Sequence, residues 1–571
     1  MEDIDYQTLA LIGGGPAALL ILKNMWESKS EPQTILIFEK NERLGVGMPY
    51  GSLGACKEHV ANVSANELPD FEVGFEEYLR QNPTKEFPDF SVDGRCNALQ
   101  VIPRLLLGDY LEYQFKWHIK SLKTKNIKVI ARTKSLVRDI TKKDESDQFK
   151  ILVNEDQEFI ASRIVLCTGH YWPKKNEESV KGWYDSPYPP SKFTSASNHP
   201  VAIRGTSLTA VDAIKTHSRL NGQYETLANG QLKYSLNEGS ENFRIDLFST
   251  GGFLPALRFH SEDDAYSTDW TMSLQEIYDY KKEHNGFVDL DHVFEINFKS
   301  QLQKKDPDFY NKIKNLRIED FVEEMMSIRK ELDSFQLFKA EYTEAEKSIR
   351  RHQSISWKEA LTAFSFAMNY PAKHFSAEDM LRLRKTLLPL ISIIIAALPQ
   401  SSYKEIIALY DAGIIDLIQV DKQSFVEPHP ETGGTYHYQS VENDKHQKYY
   451  QLYIDAIGQQ PLEVADLPFD GLRSDQLIST AYLNFKDKNK AIELLQNDNS
   501  SIVKENDGNY YMQVHGLEIN DHFQSLNVYG QTVDSIFVMA VPFIGGLNPD
   551  YSGLDFCDTA AKRIVKAMFA S

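Results

Sequence analysis

Short apolar runs that stop at glycines and give way to helical periodicities recur along this chain. Thr8-Leu-Ala-Leu-Ile12 is apolar on both faces and halts at Gly13-Gly14-Gly15, the pattern of a strand buried on both sides of a parallel sheet. Pro16-Ala-Ala-Leu-Leu-Ile-Leu-Lys-Asn-Met-Trp26 follows with helical spacing and a proline in its first turn, and Gln33–Glu39 is a second strand. Together they predict a β-α-β unit. A helix is expected from Pro103 to Lys123. Four strand-like pieces come next, Lys128–Ala131, Leu136–Ile140, Phe149–Val153 and Ile160–Leu166, read as a β-meander ending at Cys167-Thr168-Gly169.

A second strand–glycine–helix pattern opens at Pro200, with a further strand at Arg244–Ser249. Between Ser261 and Ala412 the texture turns helical, with long periodicities over Ile318–Arg351 and Met380–Leu398. Strand texture returns at Ile414–Val420 and Tyr450–Ile457. The chain closes with a strand at Ser535–Val541, a glycine-rich loop and a helix from about Leu554. The fold class is therefore α/β, two Rossmann-like dinucleotide-binding domains with a helical insertion. The division expected is 1–198 for the first part of one domain with its meander, 199–260 and 413–460 for the second domain, 261–412 for the insertion, and 461–571 for the remainder of the first.

Composition adds exclusions. With 571 residues, 42% hydrophobic and 25% charged, the balance is that of a globular chain of several domains. Acids outnumber bases 81 to 62, a net charge of -19. That argues against binding nucleic acid, whose phosphates are held by clustered cations. The four cysteines form no C-x-x-C pair, so neither a zinc cluster nor a redox disulfide is expected. The longest apolar run, Leu387–Leu398, has 12 residues, short of the roughly 20 that a bilayer needs. A strand pattern starting at Thr8 leaves no room for a signal peptide ahead of it. A cytoplasmic protein without a membrane partner is the expectation.

The first glycine turn reads Gly13-x-Gly15-x-x-Ala18. Gly13 permits the turn, Gly15 lets backbone approach a pyrophosphate, and Ala18 lets helix and strand pack closely. The helix start offers free N–H groups and a positive dipole end. Glu39 closes the second strand, where a carboxylate accepts hydrogen bonds from an adenosine ribose. Gly205-x-Ser207-x-x-Ala210 repeats the arrangement in degenerate form. Two such units separated by a meander resemble the flavoproteins with two dinucleotide-binding domains, one for FAD and one for NAD(P)H.

The resemblance narrows to the YdhS-like family of FAD/NAD(P)-binding proteins, related in plan to flavin N-monooxygenases. It is carried by Phe38–Tyr50, by His59-Val-Ala-Asn-Val-Ser-Ala65, by Pro103-Arg-Leu-Leu-Leu-Gly-Asp-Tyr-Leu111, by Gly205–Asp212 and by Tyr453–Gly458. It implies FAD held by Gly13, Gly15, Pro16, Ala17, Ala18, Glu39, Lys40, Gly45, Gly47, Met48, Thr168 and Gly169. At the C-terminal helix start Ser552, Gly553 and Leu554 complete that set. Arg43 faces either the pyrophosphate or solvent. Gly205, Ser207 and Asp455 are the corresponding positions for NAD(P)H. Where the family has Ser-Arg-Arg-Gly this chain has Ser249-Thr-Gly-Gly, which removes a bidentate 2′-phosphate ligand and leaves Arg204 and Arg258 as nearby cations. Asn62, beside the expected flavin, and His59, a proton carrier, are the catalytic candidates. The reading is an FAD-dependent oxidoreductase, an NAD(P)H-driven monooxygenase of a small, amine-type molecule. A flavin reductase without oxygen insertion and a redox sensor that keeps FAD without catalysis stand as alternatives.

Overall fold

The computed structural model describes residues 8–28, 32–91, 94–143, 146–261, 271–440, 444–497, 501–505, 508–551 and 553–569. Thr8–Ile12 is buried at every position because it lies inside a six-stranded sheet. The order across that sheet is Gln524–Leu526, Thr532–Val538, Arg163–Leu166, Thr8–Ile12, Thr34–Phe38, Lys128–Arg132. All neighbours run parallel except the first pair, a hairpin. Helix Pro16–Glu27 packs against both Arg104–Thr124 and the last helix, Leu554–Met568, so segments far apart in the chain close over one face.

The meander differs from the sequence expectation at both ends. Lys128–Arg132 is the outer strand of the parallel sheet. The run Ile160–Leu166 is cut at Ser162, whose backbone N–H and hydroxyl both donate to the Thr8 carbonyl. What remains is a three-stranded antiparallel sheet, Val137–Lys142, Phe149–Val153 and Gln157–Ala161. Alternation along a strand does not reveal which neighbour it pairs with, and a single serine suffices to pass the chain between sheets.

The second sheet has five parallel strands ordered Trp183–Tyr184, Leu452–Asp455, Pro200–Arg204, Arg244–Ser249, Ile415–Gln419. Its helix is Leu208–Asn221. A three-stranded sheet, Phe425–Pro428, Gly434–Gln439 and Lys445–Tyr450, covers one face. There Tyr436 stacks on Phe248 at 3.8 Å, within a cluster that includes Ala202 and Tyr453.

From Leu274 to Asp411 the described elements are helical. The long periodicity over Ile318–Arg351 is two helices, because Asp333 caps the second by accepting from the Phe335 and Gln336 N–H groups. The apolar run near residue 390 passes through a five-residue π segment, Leu383–Leu387, before Leu388–Ile395. Pro389 has no N–H to give, and a widened turn ahead of it accommodates that loss. This stretch feeds two cores. Leu290, Phe294, Phe364 and Leu390 join the cluster of Leu11 and Ile164. Phe335, Phe338, Tyr403 and Leu409 join that of Ile203 and Leu247. Among the described residues no helix is long and apolar enough to cross a membrane.

Candidate functional site

The first glycine turn is fixed by backbone crowding. Gly13 has φ +110°, and a Cβ there would lie 2.2 Å from the Cys167 carbonyl oxygen. A Cβ on Gly15 would come within 3.2 Å of the Gly47 Cα, so two glycine turns approach each other backbone to backbone. The Gly14 N–H donates to Glu39 Oε2, and the Asn41 backbone and side-chain N–H groups donate to Oε1, each at 2.8 Å. Helix Pro16–Glu27 has no side chain capping its first turn, which leaves its early N–H groups to an external acceptor.

These elements surround a cavity of about 410 Å³. Gly13, Gly15, Pro16, Ala17, Glu39 and Lys40 line it together with Met48, Thr168, Gly169, Gly553 and Leu554. The Thr168 hydroxyl is buried without a hydrogen-bond partner, and a Cβ on Gly169 would meet open space. An orphaned hydroxyl, an uncapped helix start and a glycine-lined channel beside a strand-end carboxylate are the fittings a dinucleotide needs. The residues present fit FAD. Ser552 lies outside the described residues.

Three expected positions stand back from this cavity. Ala18 is fully buried behind the helix start. Gly45 serves the turn, its N–H donating to the Gly14 carbonyl at 2.7 Å. Arg43 is held by Asp109 and Glu112, each at 2.6 Å, so of its two sequence readings the geometry favours an ion pair near the surface.

A second cavity of about 380 Å³ adjoins the first. Asn62 lines this one, not the dinucleotide cleft. Its Nδ2 donates to the Ile395 carbonyl at 3.4 Å, and Arg258 Nη1 donates to its backbone carbonyl at 3.0 Å. Arg258 is also paired with Glu67. Deeper in, Arg104 Nη1 and the Tyr188 hydroxyl both donate to Asp212 Oδ2 at 2.6 Å. Burial works against the Arg104 charge, but Asp212 and Tyr188 overcome it and hold the guanidinium above its ordinary value. Asp550 and Asp555 face the same space. Burial raises them to about 6 and about 7, and for Asp555 the backbone N–H of Phe556 opposes the shift.

His59 lines neither cavity. Its Nδ1 accepts from the Cys56 N–H at 3.1 Å, and Nε2 lies 3.2 Å from both the Asp212 carbonyl and Thr216 Oγ1. Both ring nitrogens are occupied and burial depresses the ring, so the geometry favours a brace between the two halves over a proton carrier.

In the second unit Gly205 has φ +115°, and a Cβ would sit 2.6 Å from the Ala456 carbonyl oxygen. Ser207 caps helix Leu208–Asn221 without a side-chain bond. Gly205, Ser207 and Asp455 lie outside both cavity linings, but Leu208 and Thr209, the first residues of that helix, line the second cavity. Asp455 pairs with Arg204 at 3.3 Å, and burial raises its carboxyl. Both nearby cations, Arg204 and Arg258, are thus already partnered.

Sequence reasoning passed over His170, Tyr188, Asp550 and Asp555 as site residues. Arg104 and Asp212 were visible as motif positions without a role. His170 directly follows the Thr168-Gly169 turn, which was the available signal. Asp550 lies in the glycine-rich loop ahead of the last helix, and Asp555 carried no signal.

Residues 273–395 match the YdhS-like middle domain. Residues 10–171 match the FAD-NAD(P)-binding family, and the first glycine turn, Glu39 and the Thr168-Gly169 turn all fall inside the matched segment. Protein YdhS of Escherichia coli (strain K12) is 26% identical over 483 residues, covering 83% of this chain and 86% of that protein. Among solved structures, ornithine N-hydroxylase of Kutzneria sp. 744 is 12% identical, covers 98% of each chain and superposes with a TM-score of 0.47. The FAD-bound cadaverine monooxygenase of Erwinia amylovora is 9% identical over 100% of this chain and 95% of that one, at 0.46.

Proposed function

We propose that this YdhS-like chain is an FAD-dependent oxidoreductase working as an NAD(P)H-driven monooxygenase of a small amine. The observation that carries the reading is the shared wall between the two cavities. The dinucleotide cleft opens at Gly553 and Leu554 onto a space bounded by the start of the second unit's helix. A nicotinamide or a substrate in that space would face whatever the cleft holds.

Bound FAD supplies hydride acceptance and the subsequent reaction with oxygen. The chain's own residues do the rest. Gly13, Gly15 and the N–H groups of the first helix receive the pyrophosphate, and Glu39 receives the ribose. Lys40, Met48 and Thr168 line the path. Tyr50, Trp172 and Phe366 wall the second cavity and keep water from it. Asn62 orients the substrate while itself held by Arg258. The Arg104–Asp212–Tyr188 contact ties the helix starting at Arg104 to the one starting at Leu208, and so sets the distance between the halves.

The test is anaerobic mixing of the purified yellow protein with NADH and with NADPH, followed by air and a panel of amines. Bleaching by either nucleotide and an oxygenated amine afterwards are expected. Bleaching that returns only peroxide would favour the reductase alternative. No bleaching with either nucleotide would favour the redox-sensing one.

A further inference from the structure

Charge is not balanced around the second cavity. Its lining holds two arginines and four carboxylic acids: Arg104, Arg258, Glu67, Glu359, Asp550 and Asp555. Each arginine is answered by a carboxylate of the wall. Arg104 Nη1 lies 2.6 Å from Asp212 Oδ2, and Arg258 is paired with Glu67. Glu359 accepts from the Ser261 hydroxyl at 2.7 Å and has Lys305 at 3.8 Å. Among the described residues no cation pairs with Asp550 or Asp555.

The fold holds both aspartates in place. Buried Asn369 accepts from the Asp550 N–H at 2.9 Å and donates to its carbonyl, which fixes the backbone and leaves the carboxyl to the cavity. Asp555 stands in the first turn of helix Leu554–Met568, just after a glycine N-cap. Burial raises Asp550 to about 6 and Asp555 to about 7, and the charges of Asp550 and Glu67 push Asp555 the same way. A buried carboxylate without a cation is costly, and both side chains face one space that could supply it.

The other titratable groups near them carry no charge at neutral pH. Tyr50, Tyr370 and Cys557 feel the Asp555 charge and Tyr551 that of Asp550; burial pushes each up to about 12. Tyr188 is raised by burial as well, and the His170 imidazole is depressed by it. Trp172, Phe259, Phe366 and Ile394 complete the lining with apolar faces.

We propose that Asp555, seconded by Asp550, is a cation subsite of the second cavity and takes the ammonium of an amine that carries no carboxylate. The proposal rests on the amine reading given above and narrows it. A ligand carboxylate would meet arginines already neutralised and two acids that repel it. An ammonium would complete both aspartates, with its methylene groups against Trp172 and Phe366. The ammonium keeps its charge to about pH 10 and favours the ionised carboxyls. Binding therefore expels their protons into solvent, and affinity rises with pH until both aspartates are ionised in the free protein.

The experiment is calorimetric titration of the FAD-loaded full chain with butylamine, 1,4-diaminobutane and 4-aminobutanoate, which share one chain length. The two amines should bind, and 4-aminobutanoate should bind weaker by about tenfold or more. Amine affinity should climb between about pH 5.5 and about pH 7.5, by at most about tenfold per unit for each carboxyl. The heat should differ between buffers as they take up the released protons. Asp555→Asn keeps the side-chain volume. It should retain FAD, melt no lower than the parent, bind the amines about 10- to 10²-fold more weakly and lose most of the pH dependence. Asp550→Asn should lose less. Amine binding that is flat in pH and releases no protons, equal binding by Asp555→Asn, tighter binding of 4-aminobutanoate, or no amine binding at all would overturn the proposal. Oxygenation of an amine that Asp555→Asn binds as the parent does would remove the subsite and keep the amine reading. A pH-linked cation site in a protein that neither NADH nor NADPH reduces would keep the subsite and remove the oxygenase reading.

Discussion

Replacing Gly15 with valine puts a branched side chain where two backbones already touch. A Cβ there would lie 3.2 Å from the Gly47 Cα and 3.6 Å from the Gly47 nitrogen. Gly47 cannot retreat freely, since a Cβ on it would in turn meet Pro16 Cδ at 2.9 Å. Overpacking of this kind costs about 1–3 kcal/mol. Strain alone would therefore shift the melting temperature modestly. The larger effect falls on the cofactor. The extra methyl groups lie over the first turn of helix Pro16–Glu27, whose free N–H groups are the anion donors. Loss of two charge-assisted hydrogen bonds at about 1.5–3 kcal/mol each weakens FAD by roughly 10²- to 10⁴-fold. The assay is flavin content after purification, then FAD fluorescence titration of the stripped protein, with Gly15→Ala as an intermediate. If Gly15→Val folds, keeps a full complement of flavin and binds it as the parent does, the pyrophosphate has been put in the wrong place.

Further outcomes can be measured. Asn62→Ala should keep FAD and its reduction by nicotinamide but release peroxide in place of oxygenated amine, losing roughly a hundredfold in coupled turnover; unchanged coupling would remove Asn62 from the reaction. Arg104→Met leaves the Asp212 carboxylate buried with a single Tyr188 donor, so about 3–5 kcal/mol of stability should go, read as the denaturant midpoint; a shift below about 1 kcal/mol would mean the contact is incidental. Asp555 is raised to about 7 in the folded chain against about 3.9 unfolded. The native state therefore holds the extra proton between those values, and stability falls as pH rises through that window. Asp555→Asn should then stabilise the flavin-free protein more at about pH 8 than at about pH 5; an equal effect at both would refute the assignment.

The dinucleotide cleft was legible because its requirements are local. A buried strand, a glycine turn, an uncapped helix and a strand-end acid sit within one continuous segment, and each leaves a residue-level mark. The same locality misled the reading at Lys128–Arg132, where alternation looks identical in a meander and at a parallel edge. It also joined two helices across Asp333, since a capping aspartate is one polar residue among many in an amphipathic run. The second cavity was legible only in part. Asn62 and Arg104 lay in motifs, whereas Asp550 and Asp555 become notable only once Gly553 and Leu554 bring the last helix against the cleft. His59 shows the converse, a conspicuous histidine whose two nitrogens are used up by packing, Nδ1 by the Cys56 N–H of its own loop and Nε2 by Asp212 and Thr216 of the second unit.

The helical stretch from Leu274 to Asp411 contributes side chains to both cores, and that has a mechanical consequence. Swinging one nucleotide sheet away from the other would pull apolar rings such as Phe335 or Phe364 out of a close-packed interior, whose contacts do not stretch gradually. The two sheets are therefore cross-braced rather than hinged. A ligand would reach the second cavity by moving side chains that line it, such as Asn62 and Arg258, which are held by a few hydrogen bonds, and not by parting the sheets.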